Sequence, residues 1–236
     1  MAKILLIETA SEVCSTAISV DGKVVAISEN LKAVSHVALL TLQIQECTKI
    51  AGIPLAQLDA VAVSRGPGAY TALRVGVSVA KGICYALDKP LIAIDTLLAL
   101  AHASRTKTDK ISPVFVPMLD ARRDEVWLAV YDADMREIAA AQPLILQNNS
   151  LEILIKGKMK GIEIDGIVLC GNGMEKISSG GFLGKIIFSG INYCAASHLA
   201  TCAEQYFQNA DFQDIVYFEP FYMKPPNITV STKSAF

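Results

Sequence analysis

The sequence predicts an α/β protein built as two lobes, and three observations carry that reading. Each half of the 236-residue chain opens with three strand-like runs and continues with helices and strands in alternation. A polar stretch at residues 104–110 separates the halves like a hinge. Just over half the residues are apolar, 52%, ample for a sizeable core in a chain longer than one average domain.

Residues 4–8 are a continuous apolar run closed by Glu8, the pattern of a buried strand. Residues 14–20 and 23–29 follow as two strands joined at Asp21-Gly22, the strongest short hairpin signal. Ser35 stands where an N-cap belongs, before a helix over 36–51 that Gly52 and Pro54 stop. Residues 60–64 form another apolar strand, followed by the glycine-rich turn Arg65-Gly66-Pro67-Gly68. A long helix over 70–87 ends at Asp88-Lys89-Pro90, residues 91–94 form a strand, and Asp95 caps a further helix to about residue 103.

The second half opens with strands over 114–118 and 126–131, the turn Asp132-Ala133-Asp134, and a third strand ending before Pro143. A helix over 150–156, a strand over 167–170, the turn Gly171-Asn172-Gly173, a strand over 185–188 and a helix over 197–207 complete it. Three antiparallel strands followed by helices and strands in alternation, twice over, is the element order of a duplicated ribonuclease-H-like unit. No sequence repeat accompanies it. The division expected is an N-terminal lobe over 1–104, a C-terminal lobe over 105–224 and a mobile tail over 225–236.

A formal charge of −2 provides no broad basic surface for a phosphate backbone, so any nucleic acid served is expected to be gripped by a partner. The six cysteines form no Cys-x-x-Cys pair and sit mostly in apolar runs, as small buried hydrophobes of a reducing compartment do. The apolar run after Met1-Ala2-Lys3 is too short for a signal peptide or a membrane span, which makes a cytoplasmic location the expectation.

Two helices carry more apolar surface than one core needs. The helix over 36–51 has an expected core stripe of Val37, Leu40, Ile44, Cys47 and Ala51, with Leu39, Leu42 and Ile50 roughly opposite. On the helix over 70–87, Leu73, Val77 and Cys84 mark one face and Val75, Val79 and Ile83 another. Its polar residues Arg74, Ser78 and Lys81 fall on one narrow strip, and Ala72, Gly76 and Ala80 would let another helix approach closely. Either these helices are buried inside the sheet sandwich, or a partner covers them.

The candidate chemical sites each admit a plain structural account. Gly66-Pro67-Gly68 lies between a strand and a helix, where amides can hold an anion, yet no Lys-Ser/Thr follows as a P-loop requires. The turn at Thr9 and Ser11 is a second anion candidate or a simple hairpin bend, and Gly171-Asn172-Gly173 a ligand approach or a tight turn. His36, His102 and His198 have no neighbouring ligand at helical or loop spacing; His36 and His198 each follow a serine at a helix start, where capping explains the pair. The cluster Asp120 to Glu125, with Arg122 and Arg123, is a salt-bridged loop or a site for an acidic ligand. No catalytic or metal site is assigned.

The run Ser64-Arg65-Gly66-Pro67-Gly68-Ala69-Tyr70-Thr71-Ala72-Leu73-Arg74 closely resembles the Gly-Pro-Gly-Ser-Phe-Thr-Gly-Leu-Arg stretch of the TsaB (YeaZ) family. The segment around Glu8, Ser35-His36, Asp120-Ala121-Arg122-Arg123-Asp124-Glu125-Val126, Gly171-Asn172-Gly173 and Tyr222-Met223-Lys224 agree with that family in order, covering most of the chain. The resemblance implies the fold of the actin, sugar kinase and heat-shock chaperone superfamily. It also implies a part in making threonylcarbamoyladenosine beside the anticodon of tRNA, as a non-catalytic scaffold and activator of the catalytic paralogue TsaD, with the ATPase TsaE joining them. The metal-binding His-x-x-x-His segment of that paralogue aligns with Thr96 and Leu100, neither of which can act as imidazole does. Glu8 stands in place of the usual Asp and Lys224 in place of Arg, which weakens any expectation of a retained nucleotide site or terminal contact.

The expected partner surface is Leu39, Leu42, Arg74, Ser78 and Lys81, with a homodimer forming when TsaD is scarce, tRNA met through the complex, and no cofactor. The rivals are a small-molecule kinase or ATPase of the same superfamily and a glycoprotease-like peptidase.

Overall fold

The computed structural model describes residues 1–31, 35–105, 113–147, 149–158, 166–177 and 185–224. The expected tail over 225–236 and most of the expected hinge lie outside these residues.

Strand β1 (Lys3–Glu8) is buried along nearly its whole length, as its unbroken Ile-Leu-Leu-Ile run requires of a strand covered on both faces. It pairs antiparallel with β2 (Cys14–Val20), which turns through Asp21 and Gly22 into β3 (Lys23–Asn30). Both turn residues have positive φ, 47° and 73°, the backbone that Asp-Gly adopts most readily in a two-residue hairpin. Helix α1 (His36–Ala51) stops at Gly52, whose φ of 64° makes the left-handed cap. Strand β4 (Ala60–Gly66) joins β1 in parallel, α2 (Tyr70–Leu87) returns along the sheet, and β5 (Leu91–Asp95) completes a five-stranded sheet of order β3-β2-β1-β4-β5. The Asp95 carboxylate accepts from the amides of Leu97 (2.9 Å) and Leu98 (3.2 Å) to start α3 (Thr96–Arg105), the capping role expected of it.

The second half repeats the scheme. Strands β6 (Val114–Asp120), β7 (Glu125–Tyr131), β8 (Glu137–Ile145), β9 (Ile167–Cys170) and β10 (Ile186–Phe188) form a sheet of order β10-β9-β6-β7-β8, with α4 (Ser150–Lys158) on one face. Pro143 lies inside β8 instead of ending it; β8 is an edge strand, where a missing amide costs no ladder bond. The expected final helix divides into a 3-10 turn over Ala196–Leu199 and α5 (Ala200–Gln208).

Four cores stack the molecule into five layers. One face of the first sheet packs Leu5, Ile7, Val61 and Val63 against α1 and α2; the other packs Ile4, Leu6, Ala62 and Ile94 against Leu199, Ala200, Cys202 and Ala203 of the C-terminal helical segment. The second sheet packs Val116, Val126 and Leu169 against Leu151 and Ile155 of α4, and on its other face Phe115, Ala129 and Val168 against Leu97, Leu100 and Ala101 of α3. The halves therefore exchange helices. α3, from the first half, covers the second sheet, and α5, from the second, covers the first.

Two histidine-linked expectations are corrected. Ser35 makes no side-chain capping bond to α1. At residue 195 the cap comes from His198, whose Nδ1 accepts from the Ala195 amide at 3.3 Å, not from Ser197. Among the described residues no helix is long and apolar enough to cross a membrane.

Candidate functional site

The carboxyl ends of β1, β4 and β5 are where open α/β sheets place ligands. Here that end carries Glu8, Ser64 and Asp95. Glu8 is 1% exposed, and its Oε1 accepts from the Ala10 amide at 2.6 Å and the Ser64 hydroxyl at 2.9 Å. Burial pushes its carboxyl up to about 7, with those hydrogen bonds opposing the shift. The Ala69 amide, at the start of α2, donates to Ala10 O at 2.7 Å. The two anion candidates thus face and satisfy each other: the Glu8 carboxylate takes the amide of one turn, and a backbone carbonyl takes the amide of the other. Thr9 is fully buried against α2, and a Cβ at Gly76 would overlap its Oγ1, so Gly76, the middle of the small-residue row, lies against this chain's own β1–β2 turn. Gly68 is likewise pressed on Ala10, and Ser11 sits beside Cys194.

Sequence reasoning missed what lies beyond Gly66. After α5 the chain runs back along the first lobe as a strap that is irregular apart from a turn at residues 215–217. The Gln213 amide donates to Leu91 O (2.8 Å) and the Phe221 amide to Arg65 O (2.7 Å). Gly66 has a φ of 115°, and a Cβ there would overlap the Phe221 carbonyl. The Tyr222 ring lies 4.3 Å from that of Tyr70, its hydroxyl accepts from Arg74 Nε at 3.0 Å, and the Arg74 guanidinium stands 4.4 Å over Tyr70. Lys81 Nζ donates to Val216 O (3.2 Å) and Phe218 O (3.0 Å). Two of the polar residues expected on a partner surface, Arg74 and Lys81, therefore hold the strap. Ser78 is exposed.

On the other flank of α2 a groove of about 420 Å³ runs between the two outer helices, lined by Leu42, Ile44, Leu55, Val79 and Ile83 and by the polar Thr41, Gln45 and Thr48. Leu42 is 60% exposed and Ile50 57%, while Leu39 is half-buried against the first core. Val37, expected in the core stripe, is 66% exposed, and Gln43 takes an inward place by donating to Cys14 O at 3.0 Å. Towards the end of α2, Gly82 is exposed, with nothing among the described residues within 4 Å of the position a Cβ would take.

A comparison with protein families matches residues 28–233 to "TsaD: tRNA N6-adenosine threonylcarbamoyltransferase". The chain belongs to this family, on its TsaB (YeaZ) side. It is 33% identical over 132 residues to the tRNA threonylcarbamoyladenosine biosynthesis protein TsaB of Escherichia coli K12, covering 56% of each chain. The chain spans about half the length of the curated relatives it matches. Among solved structures, one from Pseudomonas aeruginosa described as similar to peptidase YEAZ aligns with a TM-score of 0.77 at 21% identity, over 95% of this chain and all of that one. The activator of 2-hydroxyisocaproyl-CoA dehydratase from Clostridium difficile, solved with ADPNP, aligns at 0.51 with 11% identity over 89% of this chain and 96% of that one. The fold is the one these structures share, two lobes each built on a five-stranded sheet of the same strand order.

Within that fold, Thr96 and Leu100 are both buried, Leu100 in the core that α3 makes with the second sheet. Among the described residues no group of three or more His, Cys, Asp or Glu side chains is placed to hold a metal ion. All six cysteines are buried and unbridged, and burial raises every thiol, Cys14 and Cys84 to about 11 and Cys170 and Cys202 to about 12, far from the thiolate a nucleophile needs. The cluster at 120–125 is a hairpin tip: Lys176 Nζ pairs with Asp120 at 2.6 Å, and Lys224 pairs with Glu125.

Proposed function

We propose that the chain is a non-catalytic scaffold and activator in the making of threonylcarbamoyladenosine beside the anticodon of tRNA, acting by binding the catalytic paralogue TsaD. The observation that carries this reading is the apolar groove between α1 and α2, with Leu42 exposed in its lining. Exposed aliphatic side chains around a groove lose favourable burial while they stay in water, and a partner helix supplies it. Gly82 supports the same reading, because a glycine in an exposed helix interior weakens the helix and no close contact among the described residues explains it. The family match and the TsaB relatives support the pathway.

Leu42 and Ser78 contact the partner, Leu39 backs the groove, and Arg74 and Lys81 act from behind by fixing the strap along α2. The interface buries on the order of 1,600 Å². The same surface closes a homodimer when TsaD is scarce, TsaE joins the assembled complex, and tRNA is met through that complex in the cytoplasm.

Reconstitution tests the proposal: TsaD modifies tRNA with this chain present and falls to background without it. Leu42→Asp abolishes co-purification with TsaD while leaving the thermal midpoint of the lone chain unchanged. Modification by the lone chain, ATP turnover by it, or undiminished co-purification of the Leu42→Asp variant overturns it.

A further inference from the structure

We propose that residues 213–224 form a latch between the lobes, in which Tyr222, seated against Tyr70 and Arg74 of α2, delivers Lys224 to Glu125 at the start of β7. This inference stands apart from the docking surface on the other flank of α2.

The latch is attached to the first lobe at several separate points. Gln213 bridges to Leu91, Lys81 holds the carbonyls of Val216 and Phe218, and the Phe221 amide bonds Arg65 O at 2.7 Å. Ile215 and Phe218 pack on the first core. The turn after β4 is shaped to receive it, since only a residue without Cβ clears the Phe221 carbonyl at position 66. The best-defined motif of the sequence, Arg65-Gly66-Pro67-Gly68 running into Tyr70 and Arg74, is therefore a seat for the chain's own C-terminal segment.

From that seat the backbone crosses to the other lobe, where the Lys224 ammonium meets Glu125 Oε2. The landing point is itself braced. Lys176 Nζ donates to Glu125 O at 2.9 Å and pairs with Asp120 at 2.6 Å, which ties the β6–β7 hairpin to the turn over Asn172–Lys176. The middle helical layer joins the two sheets through their buried faces; the strap spans them at the strand ends, where β4 stops and β7 begins. Two bodies joined through a middle layer can hinge unless something spans their open ends.

An exposed ion pair between free side chains is weak, because ordering two long side chains offsets most of its Coulomb attraction. Here residues 213–222 are already ordered on the first lobe, so little further freedom is lost when Lys224 reaches Glu125. With Lys224 half exposed, the contact remains open to screening. The outcome is a closure that is specific yet reversible, sensitive to salt and to anything competing for Glu125.

Hydrogen exchange on the full chain tests it. In Lys224→Ala, exchange across residues 120–127 rises about tenfold while the centre of the first sheet is unchanged, and Lys224→Arg restores the wild-type pattern. Raising salt to about 0.5 M loosens 120–127 in the wild type and adds nothing in Lys224→Ala. Tyr222→Ala, which unseats the delivering residue, gives the same loosening of 120–127. The latch is overturned if Lys224→Ala leaves 120–127 unchanged, or if Lys224→Arg fails to restore it.

Discussion

Glu8 looks, from sequence, like a residue beside a ligand-facing turn, and in the structure its carboxylate fills the place an anion would take. Nothing local to the segment reports that, because the facing hydroxyl of Ser64 comes from a strand more than fifty residues away. The raised carboxyl makes the burial measurable. Its ordinary value is 4.5 and its folded value about 7, so protonation favours the fold. The stabilisation is present in full below about pH 4.5 and is lost as pH rises through about 7. The rise from 4.5 to about 7 corresponds to an upper figure of about 3 kcal/mol. Glu8→Gln keeps an acceptor for Ala10 and Ser64 and removes the charge. It should be more stable than wild type at pH 8 by about 1–3 kcal/mol, with the gap closing near pH 5. Denaturant titrations at the two pH values measure this, and a variant weaker at pH 8 than at pH 5, relative to wild type, refutes it.

At the scale of elements, sequence punctuation placed the helices well. The limits of α1 and α2 match the 36–51 and 70–87 expected, because Gly52 and the segment Asp88-Lys89-Pro90 stop a helix for stereochemical reasons that do not depend on context. The strap was illegible for the opposite reason. Residues 213–224 have neither a period of two nor of 3.6, and they are held by backbone and aromatic contacts to distant residues. The apolar excess on both helices was legible, but only the structure separates the half-buried Val75, Val79 and Ile83 from the exposed Leu42. Gly82 gives this separation a test. Gly82→Ala should stabilise the lone chain by up to about 1 kcal/mol, as in any exposed helix interior. Gly82→Leu should leave the fold intact yet weaken association with TsaD by tenfold or more, because a partner helix can no longer approach. Equal association of wild type, Ala and Leu variants removes Gly82 from the interface.

At the scale of the whole molecule, the decisive feature is the exchange of α3 and α5 between sheets. Element order predicted two similar halves, and helical periodicity gave each helix an apolar face, but neither says which sheet that face will cover. The physical consequence is cooperativity. The first sheet needs Leu199, Ala200 and Cys202 from the end of the chain, and the second needs Leu97, Leu100 and Ala101 from before its own first strand. Neither half can close its core alone, so the lobes should unfold in one transition despite their separate sheets. The chain supplies a convenient reporter, since its single tryptophan, Trp127, lies on β7 of the second sheet. Leu199 is fully buried in the first lobe's core. Replacing it with alanine removes several buried carbons at a cost of about 2–5 kcal/mol. If the lobes unfold as one unit, Leu199→Ala lowers the denaturant midpoint seen by Trp127 fluorescence by the same amount as that seen by exchange of the β1 amides. Had each lobe its own stability, the tryptophan midpoint would stay at the wild-type value while the β1 amides opened early, and the exchanged helices would be packing without coupling.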